Sequence, residues 1–430
     1  MRSEFSLDFF YAFLNFPMLL EGSIPIGFQK LPQHLNYRSL FNKNDVKMSA
    51  ARKIGVALLG YAFMGKAHSH GFKSMPHFFY PPPAIPDLVV IYGRTEEKVK
   101  EAAINYGFRR YVTDWRKAVG DPEIEVVDNC LPNNMHVEPT VEAIEKGKHV
   151  LCEKPLARNA EEARILRDAA KRARVKTMVA FNYRFVPAVQ LARNIVKSGL
   201  LGRIYHFRAR YLQDWIVDPN FPLVWRLKKE EAGSGPLGDL GSHIIDLGRF
   251  IVGEFKSVMG MVKTFIEERP LPEDPSRKGR VTVDDAFEAV IELDNGAIGT
   301  LEASRFATGR KNYNNFEING EKGSIEFNLE RLNELKLYLK EWEGKAIGGW
   351  NTILVTEKTQ PYIERYWPSG HIIGWEHTFI NEIYHFIKAV VKDEDIAPLG
   401  ATFEDGYRNN VIMDAILKSA ETGRKIEVSF

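Results

Sequence analysis

The stretch Lys53-Ile54-Gly55-Val56-Ala57-Leu58-Leu59-Gly60-Tyr61-Ala62-Phe63-Met64-Gly65-Lys66-Ala67-His68 decides the fold. From Ile54 to Leu59 it is continuously apolar, which suits a strand buried on both faces of a parallel sheet. It then spells G-x-A-x-x-G and runs into helix-compatible residues, a variant of the turn that seats a dinucleotide pyrophosphate between strand and helix. Gly60 makes the tight turn in this reading, and Gly65 lets the helix approach the strand. Ala62 puts a methyl group where a middle glycine usually lets the backbone meet the pyrophosphate. Taken alone, the run fits a purely structural turn equally well.

The segments downstream favour the dinucleotide reading. Residues 88–92, 126–131 and 149–152 are further short apolar runs, and residues 96–106, 137–146 and 160–174 have helical patterns between and after them. Strands alternating with helices of this length indicate a doubly wound parallel sheet, which binds ligands at the carboxyl ends of its strands. The end of the second strand ordinarily carries an acid for the adenosine ribose. Here Tyr92 is followed by Gly93 and Arg94, and Asp87 lies at the wrong end. Arg94 could accept a 2'-phosphate, stack on adenine or lie in solvent, so the choice between NAD and NADP stays open.

Composition narrows the class of protein. Lysine and arginine number 58 against 56 acidic residues, a balance that argues against a dedicated nucleic-acid binder. Two cysteines in 430 residues exclude a disulfide scaffold and a cysteine-rich zinc site. No apolar run is long enough to span a membrane, so a soluble cytoplasmic enzyme is expected. Residues 1–47 differ from the rest. Glu4 and Asp8 stand where a secretory signal needs positive charge, and we expect a poorly structured extension, with a start mis-called upstream of Met48 as its origin. The expected division is then 1–47 extension, 48–176 cofactor domain, and 177–430 substrate and oligomerisation domain.

Several residues stand where chemistry is expected. Asn133 and His136 follow one strand, although His136 could equally cap the next helix. Cys152-Glu153-Lys154-Pro155 follows the next, and a lysine there points into the crevice. In Gly238-Asp239-Leu240-Gly241-Ser242-His243, a helix would put Asp239 and His243 on one face. A carboxylate beside an imidazole fixes its tautomer for proton transfer, but such a pair is also a common surface ion pair. A metal site would need a third ligand that the sequence does not place, so none is expected. After this point the pattern switches to period two: residues 286–293, 297–303, 316–320 and 323–327 form hairpins, and 203–215, 257–265 and 335–339 add strands. The C-terminal half therefore reads as a large, mostly antiparallel sheet with helices on one face and the other face free for substrate or subunits. Helices follow at 376–392 and, after Thr402-Phe403-Glu404-Asp405, through 419.

From Arg52 to Phe430 the chain resembles the glucose-fructose oxidoreductase/inositol dehydrogenase (Gfo/Idh/MocA) family. The resemblance rests on the Gly60–Gly65 turn, Glu153-Lys154-Pro155, Asn182-Tyr183-Arg184 and the Asp239-to-His243 segment. It implies a Rossmann domain plus an open-sheet α+β domain, and NAD- or NADP-dependent hydride transfer at a hydroxyl or carbonyl of a sugar, cyclitol or derivative. It implies that Lys154 and His243 are catalytic with Asp239 in support, and that Gly60, Ala62, Phe63, Met64, Gly65, Asn133 and His136 contact the cofactor; Arg94 and Glu153 are further candidates for cofactor contact. Tyr183, Arg184 and Trp225 are candidates for holding a polyol, with packing as the competing role. A homo-oligomer, dimer or tetramer, through the open sheet is also expected. Ala62, the Gly93-Arg94 strand end, the N-terminal extension and Pro81-Pro82-Pro83 depart from the family pattern. The alternative is a catalytically silent cofactor-binding sensor of the same fold; the joint presence of Lys154, Asp239 and His243 argues for the enzyme.

Overall fold

The computed structural model describes residues 52–430, and the extension expected over 1–47 lies outside them. Six parallel strands form the first sheet: β1 (Lys53–Leu59), β2 (Ile85–Tyr92), β3 (Arg110–Val112), β4 (Val126–Asn129), β5 (His149–Cys152) and β6 (Thr177–Val179). Their order, β3-β2-β1-β4-β5-β6, reverses direction between β1 and β4. Helices α1 (Phe63–Phe78), α2 (Glu96–Tyr106), α3 (Trp115–Val119), α4 (Val137–Glu145) and α5 (Ala160–Arg172) connect them. Ile54 to Leu59 are wholly buried, because helices cover both faces of the sheet. The sheet runs on through β6, past the expected boundary at 176. The strand is only three residues long and pairs with β5, so its pattern alone does not reveal it.

After α6 (Pro187–Lys197) the chain builds a nine-stranded sheet. It comprises β7 (Ile204–Leu212) and, beyond α7 (Lys229–Ala232) and α8 (Ser242–Ile251), β8 (Phe255–Lys263). A small hairpin, β9 (Glu268–Pro270) with β10 (Lys278–Arg280), stands apart from it. The large sheet continues with β11 (Ala286–Leu293), β12 (Ile298–Ser304), β13 (Tyr313–Gly320), β14 (Gly323–Asn328), β15 (Glu334–Leu339), β16 (Asn351–Leu354) and, at the C-terminal edge, β17 (Ile426–Glu427). Its pairings are antiparallel except β7 with β12, as a mostly antiparallel reading requires. The period-two segments became strands, with 286–293 matched at both ends and the other ends shifted by at most three residues.

Helices α9 (Glu376–Lys392) and α10 (Phe403–Thr422) complete the fold. Thr402 and Asp405 form the capping box that starts α10. Helices α8 and α10 pack on one face of the large sheet at β7 and β8. On the other face Tyr205, Met259, Met261, Val290 and Ile298 are exposed. Among the described residues no helix is long and apolar enough to cross a membrane.

Candidate functional site

The turn after β1 has the geometry its glycines require. Gly60 adopts φ +100°, and a Cβ there would lie 2.8 Å from the Cys130 carbonyl oxygen. A Cβ on Gly65 would lie 2.1 Å from the Gly60 carbonyl oxygen, so only glycine lets α1 start this close to the strand. Ala62 stands at the N-cap without a side-chain cap, and the first turn of α1 holds no acidic residue. The amides of that turn are therefore left to an anion, and the cradle fits a dinucleotide pyrophosphate. Phe63, exposed at the helix start, stacks on Trp375 with centroids 5.5 Å apart.

This turn opens into a cleft of about 640 Å³. Ten of the anticipated residues line it: Ala62, Phe63, Met64, Asn133, Glu153, Lys154, Tyr183, Trp225, Asp239 and His243. Asn133 is tied by its side-chain amide to the Ala232 carbonyl at 2.9 Å, which joins the loop after β4 to α7. Lys154 donates to Asp239 twice, to the backbone oxygen at 2.8 Å and to Oδ1 at 3.0 Å. Arg305, buried, donates to Asp239 Oδ2 at 2.8 Å and lies over the Trp215 ring. Burial alone would raise the Asp239 pKa, but the charges of Lys154, Arg305 and Arg226 hold it well below the usual carboxylate range.

The helix expected to align Asp239 with His243 is not regular. Leu237–Gly241 forms a π turn before α8 begins, which changes the side-chain phase by about one residue. Both Asp239 oxygens consequently serve Lys154 and Arg305, and the anticipated Asp239–His243 bond does not form. His243 packs against the Tyr183 ring at 4.5 Å, and its buried Nδ1 has no hydrogen-bond partner among the described residues. Burial, then the Lys154 charge, hold its pKa well below 6.5 against the pull of Asp239. The imidazole is neutral at neutral pH.

Three other placements correct the sequence reading. His136 is wholly buried, with Nδ1 at 3.0 Å from the Pro155 carbonyl oxygen and Nε2 at 2.9 Å from that of Leu131. It clips the loop after β5 to the loop after β4, so it neither lines the cleft nor caps α4 with its side chain. Arg184 is a buried structural cation, donating to Asp246 at 2.8 and 2.6 Å, because the two groups neutralise each other beneath α8. It does not reach the cleft. Glu153 borders the cleft but turns its carboxylate inward, to His68 at 3.0 Å and to the Lys154 amide at 2.9 Å. Arg94 is exposed at the end of β2 and lies outside the cleft lining.

Sequence reasoning missed Tyr211, Gln213, Trp215, Arg226, Arg305, Asn312 and Trp375, which complete the wall. Strand register assembles several of them: Leu212 pairs with Ser304 and with Tyr313, so Gln213, Arg305 and Asn312 meet at one end of the sheet. Tyr183 and Tyr211 hydroxyls lie 2.8 Å apart, Tyr211 donates to Asn312 at 2.6 Å, and Gln213 donates to Asn312 at 3.0 Å. Trp215 in turn donates to Gln213 at 2.9 Å. The only signal in the sequence is a polar residue immediately beyond each of three neighbouring strand ends.

Residues 54–181 match the family model described as an oxidoreductase family with an NAD-binding Rossmann fold. Residues 189–326 match that of the GFO/IDH/MocA C-terminal domain. A levoglucosan dehydrogenase of Pseudarthrobacter phenanthrenivorans is 44% identical over 391 residues, 88% of this chain and 98% of that protein. The structure of a levoglucosan dehydrogenase in complex with NADH and levoglucosan superposes with a TM-score of 0.84 at 44% identity, covering 88% of this chain and 100% of that one. An oxidoreductase domain protein from Kribbella flavida is similar to the same degree, with a TM-score of 0.84, 44% identity and coverage of 88% and 100%.

Proposed function

The chain belongs to the Gfo/Idh/MocA oxidoreductase family, and on that premise we propose how its cleft works. The protein is an NAD-dependent oxidoreductase of CH–OH groups in sugars or cyclitols. Bound NAD supplies the hydride acceptor. We place its pyrophosphate on Gly60, Ala62, Phe63, Met64 and the amides at the start of α1. Asn133 lies further along the same crevice. Lys154 holds the substrate oxygen: its Nζ has a third proton left after the two bonds to Asp239, and that proton is directed to the reacting hydroxyl. His243 takes the hydroxyl proton. Its Nδ1 is sealed inside the protein, so Nε2 is the accepting atom. A neutral imidazole beside a lysine cation is competent to do so from the start of the cycle.

The lining supports a sugar as the occupant. Trp215, Trp225 and Trp375 offer ring faces for the apolar side of a pyranose, and Gln213, Asn312 and Arg226 offer partners for its hydroxyls. Levoglucosan and related pyranoses therefore come first among substrates. The single observation that carries the reading is the Lys154–Asp239 bond set beside an unpaired, neutral His243 in a cleft that opens at the glycine turn. We assign residues up to 180 to cofactor binding and the remainder to substrate binding. The exposed row of Tyr205, Met259, Met261, Val290 and Ile298 supports a homo-oligomer formed through the outer sheet face. The free thiols of Cys130 and Cys152 fit a reducing compartment, the cytoplasm.

The test is a panel of sugars, anhydrosugars and cyclitols incubated with the purified protein and NAD, read by NADH absorbance. Turnover on at least one pyranose is expected. Binding of NADH without turnover of any polyol would favour the sensor and overturn the reading.

A further inference from the structure

Beneath the cleft lies a cluster of ionisable groups that the proposed reaction does not touch. His68, on the second turn of α1 and facing inward, is wholly buried, as is Asp128 at the end of β4. His68 Nδ1 sits 2.9 and 3.1 Å from the two Asp128 carboxylate oxygens, and Nε2 sits 3.0 Å from Glu153 Oε1. Each carboxylate has a further donor: the Lys154 amide donates to Glu153 Oε2 at 2.9 Å, and the Cys130 thiol donates to Asp128 Oδ1 at 3.6 Å. Both carboxyl groups are thus in accepting geometry on every side.

A neutral imidazole carries one N–H, and two buried carboxylates each need a donor from it. The arrangement is satisfied when the ring is an imidazolium, one cation between two anions. Lys154 and Arg226 place positive charge near Glu153, which favours its carboxylate form without replacing the donor from His68. Phe379 of α9 tilts against the ring at 5.4 Å, and Glu382 of the same helix is buried with both carboxyl oxygens unpartnered, its pKa raised well above the ordinary value by burial. Burial thus favours the uncharged form of Glu382. Burial and the Asp128 charge likewise keep the Cys130 thiol protonated. Burial opposes charge on His68, but Asp128 outweighs it and lifts the pKa well above 6.5.

We propose that His68 is a positioning residue for Lys154: its imidazolium, donating to Asp128 and Glu153, locks the Glu153 carboxylate whose other oxygen holds the Lys154 amide. The chain of contacts runs from the core to the cleft without a gap: Asp128, His68, Glu153, the Lys154 backbone, and then Lys154 Nζ on Asp239. The inference rests on the reading of Lys154 as the group that meets the substrate oxygen. A shift of that lysine by about an ångström is enough to lower turnover roughly a hundredfold, so its backbone support matters as much as its side chain.

Two measurements test it on the full chain, the first with NADH bound and the second during sugar oxidation with NAD as the hydride acceptor. First, in protein labelled with 15N-histidine, and with His68→Gln used for assignment, both His68 nitrogens should remain protonated at pH 8. One unprotonated nitrogen there would overturn the proposal, and this result does not depend on whether the variant is active. Second, His68→Gln should lower kcat about 10- to 100-fold while the sugar KM and the NADH Kd move less than about threefold. In a Glu153→Gln background the same change should cost less than about threefold more, because its route to Lys154 is already broken. A kcat within twofold of the parent, or full additivity with Glu153→Gln, would refute the positioning role. Lys154→Met separates the layers: if it leaves turnover intact the reading of the lysine fails, and if it abolishes turnover while His68→Gln does not, only this inference fails.

Discussion

Replacing Asp239 by asparagine keeps the shape of the side chain and removes the charge shared by Lys154 and Arg305. The Lys154 bond to the Asp239 backbone oxygen survives, and the bond to Oδ1 becomes neutral or is lost, since one end of the new amide must present N–H to a cation. A hydrogen bond to a charged group contributes about 1.5–3 kcal/mol and a neutral one about 1. Asp239 is 29% exposed, so the lower part of that difference applies, roughly 0.5–1 kcal/mol in the placing of Lys154. At about 1.4 kcal/mol per factor of ten, kcat should fall roughly 2- to 5-fold. NADH affinity, measured by fluorescence titration, should stay within about threefold. The partner matters as much as the size. Because the carboxylate serves Lys154 and not His243, Asp239→Asn should add little to Lys154→Ala and should keep its full effect beside His243→Ala. The opposite pattern, full effect with Lys154→Ala and silence with His243→Ala, would refute the assignment.

Other consequences follow from the same contacts. Arg184→Met leaves Asp246 buried without its cation and should cost about 3–5 kcal/mol. At ~2.1 cal/mol/K per residue this lowers Tm by about 4–6 °C, with the sugar KM unchanged; a raised KM at constant Tm would return Arg184 to the substrate site. Arg94→Ala should weaken NADPH binding more than NADH binding in parallel titrations, and equal losses would mean that Arg94 does not read the 2'-phosphate. His243 has a pKa held well below 6.5, so its neutral form prevails at and above that pH, and the acid limb of kcat/KM for oxidation should lie below pH 6.5. The sign for stability is the same: the depressed pKa leaves its contribution complete above pH 6.5 and lost as pH falls through the folded value. A limb centred near pH 7 that vanishes in His243→Ala would contradict this.

The parts of the fold that repeat at a fixed period were legible in the sequence. The buried run of β1, the alternation of β11 and the capping box of α10 each rest on local chemistry that the chain order displays directly. Residues placed by a motif were legible as positions but not as orientations. Glu153, His136 and Arg184 stand beside the cleft in sequence, yet each turns inward because a buried partner, His68, a backbone carbonyl or Asp246, satisfies it there. No local pattern discloses such a partner: His68 and Glu153 are 85 residues apart. The cleft wall at the end of the large sheet was hidden for a related reason. Gln213, Arg305 and Asn312 become neighbours only through the pairing of β7 with β12 and β13, and the parallel β7–β12 pair is not one that a hairpin pattern predicts. The π turn at Leu237–Gly241 likewise altered a face that an ideal helix would have shared.

The most direct test of the account is the turnover of Lys154→Ala on a sugar that the parent oxidises, with NADH affinity measured on the same preparation. The account predicts that kcat falls roughly a hundredfold or more, the scale of a lost acid-base or positioning group at the reacting atoms. NADH affinity should change less than about threefold, since the proposed seat of the pyrophosphate is the glycine turn and the first turn of α1. Near-parental turnover in Lys154→Ala would contradict it.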